Sequence, residues 1–177
     1  MRIEIGAGPS RKPGYIHTDI VKLPNSHIEY LCRGNDLYFA QDGTVEEVYM
    51  QGVFEHFQYF EAITVVKECR RVLRTGGVLD FTVPDLMAAC KMIAEGKLPF
   101  PDKCIQWAPE RSREEGILWY GLSLLYGGQD RDGQVHQFGW TKAMVVRILT
   151  DIGFDIVAIR TDCYEPNTHY RFIARRR

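Results

Sequence analysis

The stretch IEIGAGPSRKPGYIHTDI, residues 3–20, sets two glycines one residue apart after an apolar run and soon reaches an aspartate. Glycines so placed let a backbone pass close to a ligand, and a carboxylate at the tip of the next strand can grip a ribose. The spacing is short. Asp19 stands 11 residues after Gly8, where a dinucleotide site separates its glycines from its acidic residue by about 20. Pro9 and Ser10 follow Gly8, no third glycine occupies the G-x-x-G register, and Pro13 with Gly14 interrupt the chain before the second strand. At most one helical turn fits there, so a pyrophosphate would find no helix N-terminus to sit on. A nucleoside carrying something small and charged is favoured.

The elements that must position these residues follow from periodicity and turn chemistry. Met1–Ile5, Tyr15–Asp19, Ile28–Cys32 and Val45–Met50 each read as a strand, rich in Ile, Val and Tyr. Tyr59, Ala62, Val66, Cys69 and Leu73 then fall on one face of a helix, which Gly76 and Gly77 are expected to stop. Val78–Pro84 reads as a buried strand, and Asp85 as the cap of a helix with Leu86, Cys90 and Ile93 in a stripe ending at Gly96. Ser112 with Glu115 forms a capping box, although Gly116 and Gly121 weaken the helix that it would start. Thr141 caps a segment carrying Val145, Ile148 and Ile152, which Gly153 ends. Two closing strands, residues 154–162 and 169–177, flank a turn at Glu165-Pro166-Asn167. Alternating strands and helices imply an α/β fold with a mostly parallel sheet covered on both faces and an antiparallel strand at the C-terminal end.

The 177 residues are expected to form a single domain, with an insertion at about 98–139 serving as a substrate lid. A hydrophobic content of 45% and a charged content of 25% are ordinary for a globular protein, and a net charge of −1 gives no reason to expect a nucleic-acid partner. Arg175, Arg176 and Arg177 read as a solvated end. The five cysteines are scattered and never spaced as C-x-x-C, which argues against a disulfide framework or a zinc site; no metal ligand is assigned. No apolar run approaches a membrane span, and the N-terminus has no signal-peptide pattern. A reducing, cytoplasmic setting is expected, as a monomer or homodimer.

EIGAGP with GYIHTDI, EEVYMQGVFEHF, ECRRVLRTGGVLDFTVPD, YGGQ and DIGF, in that order, resemble the class I S-adenosylmethionine-dependent methyltransferases. The likeness is to the small branch whose first helix is shortened or lost. It implies a Rossmann-like three-layer sandwich, S-adenosylmethionine as cofactor and S-adenosylhomocysteine as product. By the resemblance, Gly6 and Gly8, with Ala7 and Pro9 beside them, face the methionine part of the cofactor, and Glu4 orders that loop. Asp19, next to Ile20, takes the ribose hydroxyls. At the adenine, a gapless alignment puts Arg33 where the family usually has an acidic residue, and Asn35 and Asp36 are close enough to serve instead. Gln51 and Gly52 line the space around the transferable methyl. Glu55 and His56 match a family EH pair that either orients the following helix or takes part in the chemistry.

Methyl transfer to a hydroxyl or a protonated amine calls for a base that titrates near neutral pH. His136 is the first candidate, His56 the second and Asp85 the third. Tyr126, Gln129 and Trp140 flank His136 and could line a pocket for a small acceptor, a sugar or glycoconjugate being the suggested class; Trp140 could equally pack before its helix. His17, His27 and His169 show no partner pattern. Two other classes stay open: a non-catalytic binding module on the same fold, and a nicotinamide-dependent reductase, against which the short Gly8–Asp19 segment argues.

Overall fold

The computed structural model describes residues 1–9, 12–22, 24, 26–96, 113–129, 133–161 and 168–177. In chain order they form β1 (Arg2–Ile5), β2 (Ile16–Asp19), β3 (Tyr30–Leu31), β4 (Val45–Met50), a 3-10 turn (Phe54–His56), α1 (Tyr59–Val72) and β5 (Leu73–Pro84). Then come α2 (Leu86–Glu95), α3 (Arg113–Tyr126), α4 (Lys142–Ile152), β6 (Phe154–Arg160) and β7 (His169–Arg176). The strands build one seven-stranded sheet in the order β3-β2-β1-β4-β5-β7-β6, parallel except for β7, which runs antiparallel to both its neighbours. The chain moves outward from β1 to β3 and returns to β4, so the order reverses between β1 and β4. In open sheets of this kind the crevice beyond the strand ends at such a reversal is where ligands bind.

Strand register explains the core. Ile3, Val48, Leu79 and Ala174 stand side by side across four strands, as do Ile5, Met50, Phe81 and Phe172 in the next row. All eight are buried, and α1 and α4 pack against each other over this face through Ala62, Val65, Val66, Cys69, Val145, Ile148 and Leu149. The opposite face is polar. His17, Glu4, Tyr49 and Asp80 form a row there, and Asp80 takes both prongs of the Arg171 guanidinium at 2.8 and 2.6 Å. Among the described residues no α-helix lies between β1 and β4, so this part of the face has no crossover helix from that half of the chain. Lys12 and Tyr15 cover part of it instead, with the Lys12 ammonium 3.5 Å from the centre of the Tyr49 ring.

Local structure departs from the expectations at two places. Helix α1 ends at Val72, not at the glycines, because Leu73 is already extended and pairs with Val45. Gly76 and Gly77 lie within β5, where pairing shifts before resuming at Glu47 and Val78. Gly76 has a left-handed φ of +76°, and a Cβ on Gly77 would stand 2.8 Å from the Arg74 carbonyl oxygen. In α2 the buried stripe is Ala89 and Met92, and Cys90 is exposed. That stripe faces α3 through Leu124 instead of facing the sheet. The caps at Asp85 and Thr141 and the stop at Gly153 form as expected. Ser112 and the Glu165-Pro166-Asn167 turn lie outside the described residues, as do residues 98–112 and 130–132 of the expected lid.

Candidate active site

At the reversal point a cavity of about 350 Å³ opens beyond the C-terminal ends of β1, β2 and β4, within the size range of small-ligand pockets. Gly6, Ala7, Gly8 and Pro9 form one wall, Asp19, Ile20 and Val21 a second, and Gln51, Gly52 and Val53 a third. The loop is held from behind. Its Gly6 and Ala7 N–H groups donate to the Thr18 carbonyl at 2.8 and 3.1 Å, and Gly8 N–H donates to Asp19 Oδ2 at 2.9 Å. Asp19 Oδ1 accepts from Val21 N–H at 3.1 Å. A carboxylate has about four lone-pair positions, so each oxygen keeps one free for a ligand hydroxyl.

The glycines do different work. Gly6 and Gly8 both have a left-handed φ, +68° and +58°. A Cβ on Gly6 would stand 2.4 Å from Val53 Cγ2, whereas one on Gly8 would meet nothing within 4 Å. Glu4 is buried beneath the loop instead of lining the cavity. Its Oε2 accepts from Lys12 N–H at 2.8 Å and lies 3.4 Å from His17 Nε2. Past β3, Cys32, Arg33 and Gly34 reach the wall, while Asn35 and Asp36 are exposed residues of the next turn and lie outside it. Arg33 Nη1 reaches Glu61 Oε1, also on the wall, at 3.4 Å.

The third wall leads to a cluster of titratable groups. The 3-10 turn after β4 is tied to a segment 79 residues on: His56 Nδ1 donates to the Val135 carbonyl at 3.0 Å, and Gln137 N–H donates to the Glu55 carbonyl at 2.9 Å. His136 Nδ1 donates to the Leu124 carbonyl at 3.0 Å, leaving its Nε2 facing Glu55 Oε1 at 3.9 Å. The two imidazole rings are 4.9 Å apart, edge to face. Glu55 is buried, its Oε2 has no hydrogen-bond partner, and burial raises its carboxyl to about 7. Burial also lowers His136 to about 4, with His56 adding to the effect and the Leu124 carbonyl opposing it. His56 is lowered by burial against the pull of the Val135 and Gly52 carbonyls. Both imidazoles are therefore neutral at pH 7. His169, to which the sequence assigned nothing, is lowered to about 4 by burial and by His136, against Asp85.

Of the candidate bases, His56 lines the cavity directly and His136 stands behind it. Asp85 is occupied as a helix cap, accepting from Met87 N–H at 2.9 Å, and hydrogen-bonds Tyr170. The residues expected to surround an acceptor do not gather at this cavity. Trp140 is a core residue, 1% exposed and stacked on Tyr59 at 5.9 Å, with Phe54 and Phe138 against its other sides. Tyr126 and Gln129 are exposed, and the Gln129 amide folds back to the Tyr126 carbonyl. Gly127 is fixed by its neighbours: with φ +77°, it bridges to Val135, and a Cβ would overlap the Gln134 carbonyl.

No protein-family model and no curated protein matches the sequence. Solved structures do match over the whole chain. Burkholderia thailandensis 1,6-didemethyltoxoflavin-N1-methyltransferase, solved with 1,6-didemethyltoxoflavin and S-adenosylhomocysteine bound, is 14% identical with a TM-score of 0.60, covering 99% of this chain and 70% of its own. A SAM-dependent methyltransferase from Methanosarcina mazei is 17% identical with a TM-score of 0.61, covering 99% and 91%. Magnesium protoporphyrin IX methyltransferase from Synechocystis, solved with SAH bound, is 13% identical with a TM-score of 0.55, covering 100% and 74%. The fold is that of the class I S-adenosylmethionine-dependent methyltransferases.

Within this methyltransferase fold several wall residues escaped the sequence reading: Val53, Phe57, Glu61, Gly133 and Gln134. Arg33 was the position that a gapless alignment pointed to, so the signal was present there. Gly133 and Gln134 carry no local signal, because they reach the cavity only through the tie between residues 135–137 and the turn after β4.

Proposed function

We propose that the chain is an S-adenosylmethionine-dependent methyltransferase acting on a small-molecule acceptor. One observation carries the reading: a cavity at the sheet's reversal point, walled by the left-handed Gly6–Pro9 loop and the Asp19 carboxylate, in a methyltransferase fold. In this reading Gly6, Ala7 and Gly8 let the backbone approach the methionine part, and Glu4 holds the loop. Asp19 accepts the ribose hydroxyls, Ile20, Val21 and Arg33 flank the adenine, and Gln51 and Gly52 border the methyl. The cofactor supplies an activated methyl group on a sulfonium. The protein aligns an acceptor lone pair with it at roughly 3–3.5 Å and excludes water. The acceptor-side groups are then His56, on the wall, and His136 behind it, and S-adenosylhomocysteine is the product.

A net charge of −1 favours a small acceptor over nucleic acid, and a sugar or glycoconjugate remains the proposed class. Neighbours of the same fold act on 1,6-didemethyltoxoflavin and magnesium protoporphyrin IX, both small molecules. The free Cys32, Cys69 and Cys90 suit a reducing, cytoplasmic setting, with the chain acting as a monomer or homodimer. No helix among the described residues is long and apolar enough to cross a membrane. Isothermal titration with S-adenosylmethionine and with NADH tests the reading. Saturable binding of the first alone supports it. Binding of NADH alone makes the chain a reductase, and binding of neither makes it a non-catalytic module.

A further inference from the structure

We propose that Glu55, His56 and His136 form a binding site for one divalent transition-metal ion, zinc foremost, beside the cofactor cavity. One ligand atom from each residue lies within 4.8 Å of the others. The sequence assigns no metal, because the cysteines lack ligand spacing; His56 and His136 stand 80 positions apart and only the fold brings them together.

The geometry prepares both imidazoles in the same way. A carbonyl oxygen can only accept, so His56 carries its proton on Nδ1 toward Val135, and His136 carries its own on Nδ1 toward Leu124. In the neutral rings that leaves the lone pair on Nε2. Metal-binding histidines are oriented in this manner, with the second nitrogen donating to a carbonyl or carboxylate. Opposite them stands a buried carboxylate with one oxygen left unsatisfied. Glu55 is 4% exposed, and its Oε2 makes no hydrogen bond. A buried carboxylate with an unsatisfied oxygen is unfavourable unless a cation or proton neutralises it.

Two ligands each about 2.0–2.2 Å from a metal are at most about 4.4 Å apart. The 3.9 Å between His136 Nε2 and Glu55 Oε1 already falls within that span, and the three ligand atoms, all within 4.8 Å of one another, would be drawn slightly closer by a bound ion. Two imidazoles and one carboxylate suit zinc or iron(II) and leave a coordination position open. His56 is the one of the three that lines the cavity, so the open position is expected on that side.

The role of such an ion, though not its binding, rests on the methyltransferase reading. An acceptor hydroxyl at the open position would lose its proton to solvent more readily, as metal-bound water does. Its oxygen lone pair would then form the O–C bond to the methyl carbon, and the C–S pair would remain on sulfur as a neutral thioether. His56 and His136 would serve as ligands, and no single histidine need act as the base. The acceptor class narrows to molecules with a metal-binding hydroxyl.

The full chain, stripped with chelator, is titrated with cobalt(II) and followed by visible absorption, with zinc(II) as competitor. One saturable equivalent is expected, displaced by zinc. The isosteric Glu55→Gln and His136→Ala should each weaken binding by on the order of 100-fold. Zinc should also raise the melting temperature of the unaltered chain, and chelator should reverse the rise, a measurement that needs no folded variant. Absence of a saturable site, or equal affinity in Glu55→Gln, overturns the proposal. S-adenosylmethionine titration of the metal-free chain is read separately. Cofactor binding without cobalt binding sinks the metal site and leaves the methyltransferase reading intact; cobalt binding without cofactor binding does the reverse.

Discussion

The two sides of the cavity are built on opposite plans. On the side proposed for the cofactor, Gly6 to Pro9 and Asp19 come from a single stretch of chain, and polarity is supplied by backbone N–H groups and one carboxylate. On the side proposed for the acceptor, a turn after β4 meets residues 79 positions later, and polarity is supplied by buried side chains whose protonation is displaced from ordinary values. The first plan suits a ligand that never changes. Backbone geometry varies little with side-chain substitution. The second plan suits chemistry, because burial sets the charge state of each group and a substitution there retunes it.

The largest expected effect breaks the cofactor side alone. Gly8→Val should reduce S-adenosylmethionine affinity beyond detection by calorimetry while the chain still folds. An added Cβ meets no protein atom within 4 Å and sits on the loop that walls the cavity, and the left-handed backbone costs on the order of 1–3 kcal/mol. Gly6→Val is the contrasting variant. Its Cβ would stand 2.4 Å from Val53 Cγ2, so it should lower the melting temperature as well. Normal cofactor binding by Gly8→Val would mean that the loop faces something else.

His136→Ala should break the acceptor side alone. Turnover on the true acceptor is expected to fall by roughly 10²–10⁴-fold, with S-adenosylmethionine affinity changed little. A parallel loss of cofactor affinity would erase the division between the two sides.

Asp19→Asn sharpens the cofactor side. The neutral amide retains an oxygen but loses charge-assisted acceptance, each such bond being worth roughly 1.5–3 kcal/mol. Affinity should drop by about 10–100-fold, and equal affinity would remove Asp19 from the ribose.

The smallest effect concerns the scaffold that both sides share. Glu68 on α1 accepts from Leu37 N–H at 2.8 Å and from the Arg71 guanidinium at 2.7 and 2.8 Å, joining the helix to the chain between β3 and β4. The Arg71 hydrogen bonds hold its carboxyl below the ordinary carboxylate value, against a smaller opposing effect of burial. Since the folded pKa is the lower one, this stabilisation is present above the unfolded value and is lost as pH falls toward the folded one. Glu68→Gln should cost about 1 kcal/mol at neutral pH. In thermal melts the difference from the unaltered chain should shrink as pH drops from about 6 to 3. A difference independent of pH would mean that the carboxylate's charge contributes nothing.

What could be read in advance follows the same division. The turn chemistry of Gly6, Gly8 and Asp19 is local: three residues within one loop and one strand tip carry the information, and the structure brings them to one wall. Helix α4 was equally legible, since its cap at Thr141, its apolar stripe and its stop at Gly153 are all local features. The stop of α1 was misread because Gly76 and Gly77 suit a left-handed helix end and a strand bulge equally. Only the pairing of Leu73 with Val45 separates the two. Trp140 shows the same limit. An aromatic residue beside a polar loop could line a pocket or fill a core, and the rings of Phe54, Tyr59 and Phe138 decided for the core.

The sequence by itself determined the order of strands and helices, the short loop that favours a nucleoside over a dinucleotide, and the carboxylate that closes it. Each is a short-range property of residue type and spacing. The tertiary structure decided what those residues face. It put Arg33 on the wall and left Asn35 and Asp36 off it, and it buried Glu55 opposite two imidazoles, each anchored through Nδ1 to a carbonyl. Burial and distance between residues far apart in the chain are sums over the whole packed fold, and no local pattern encodes them.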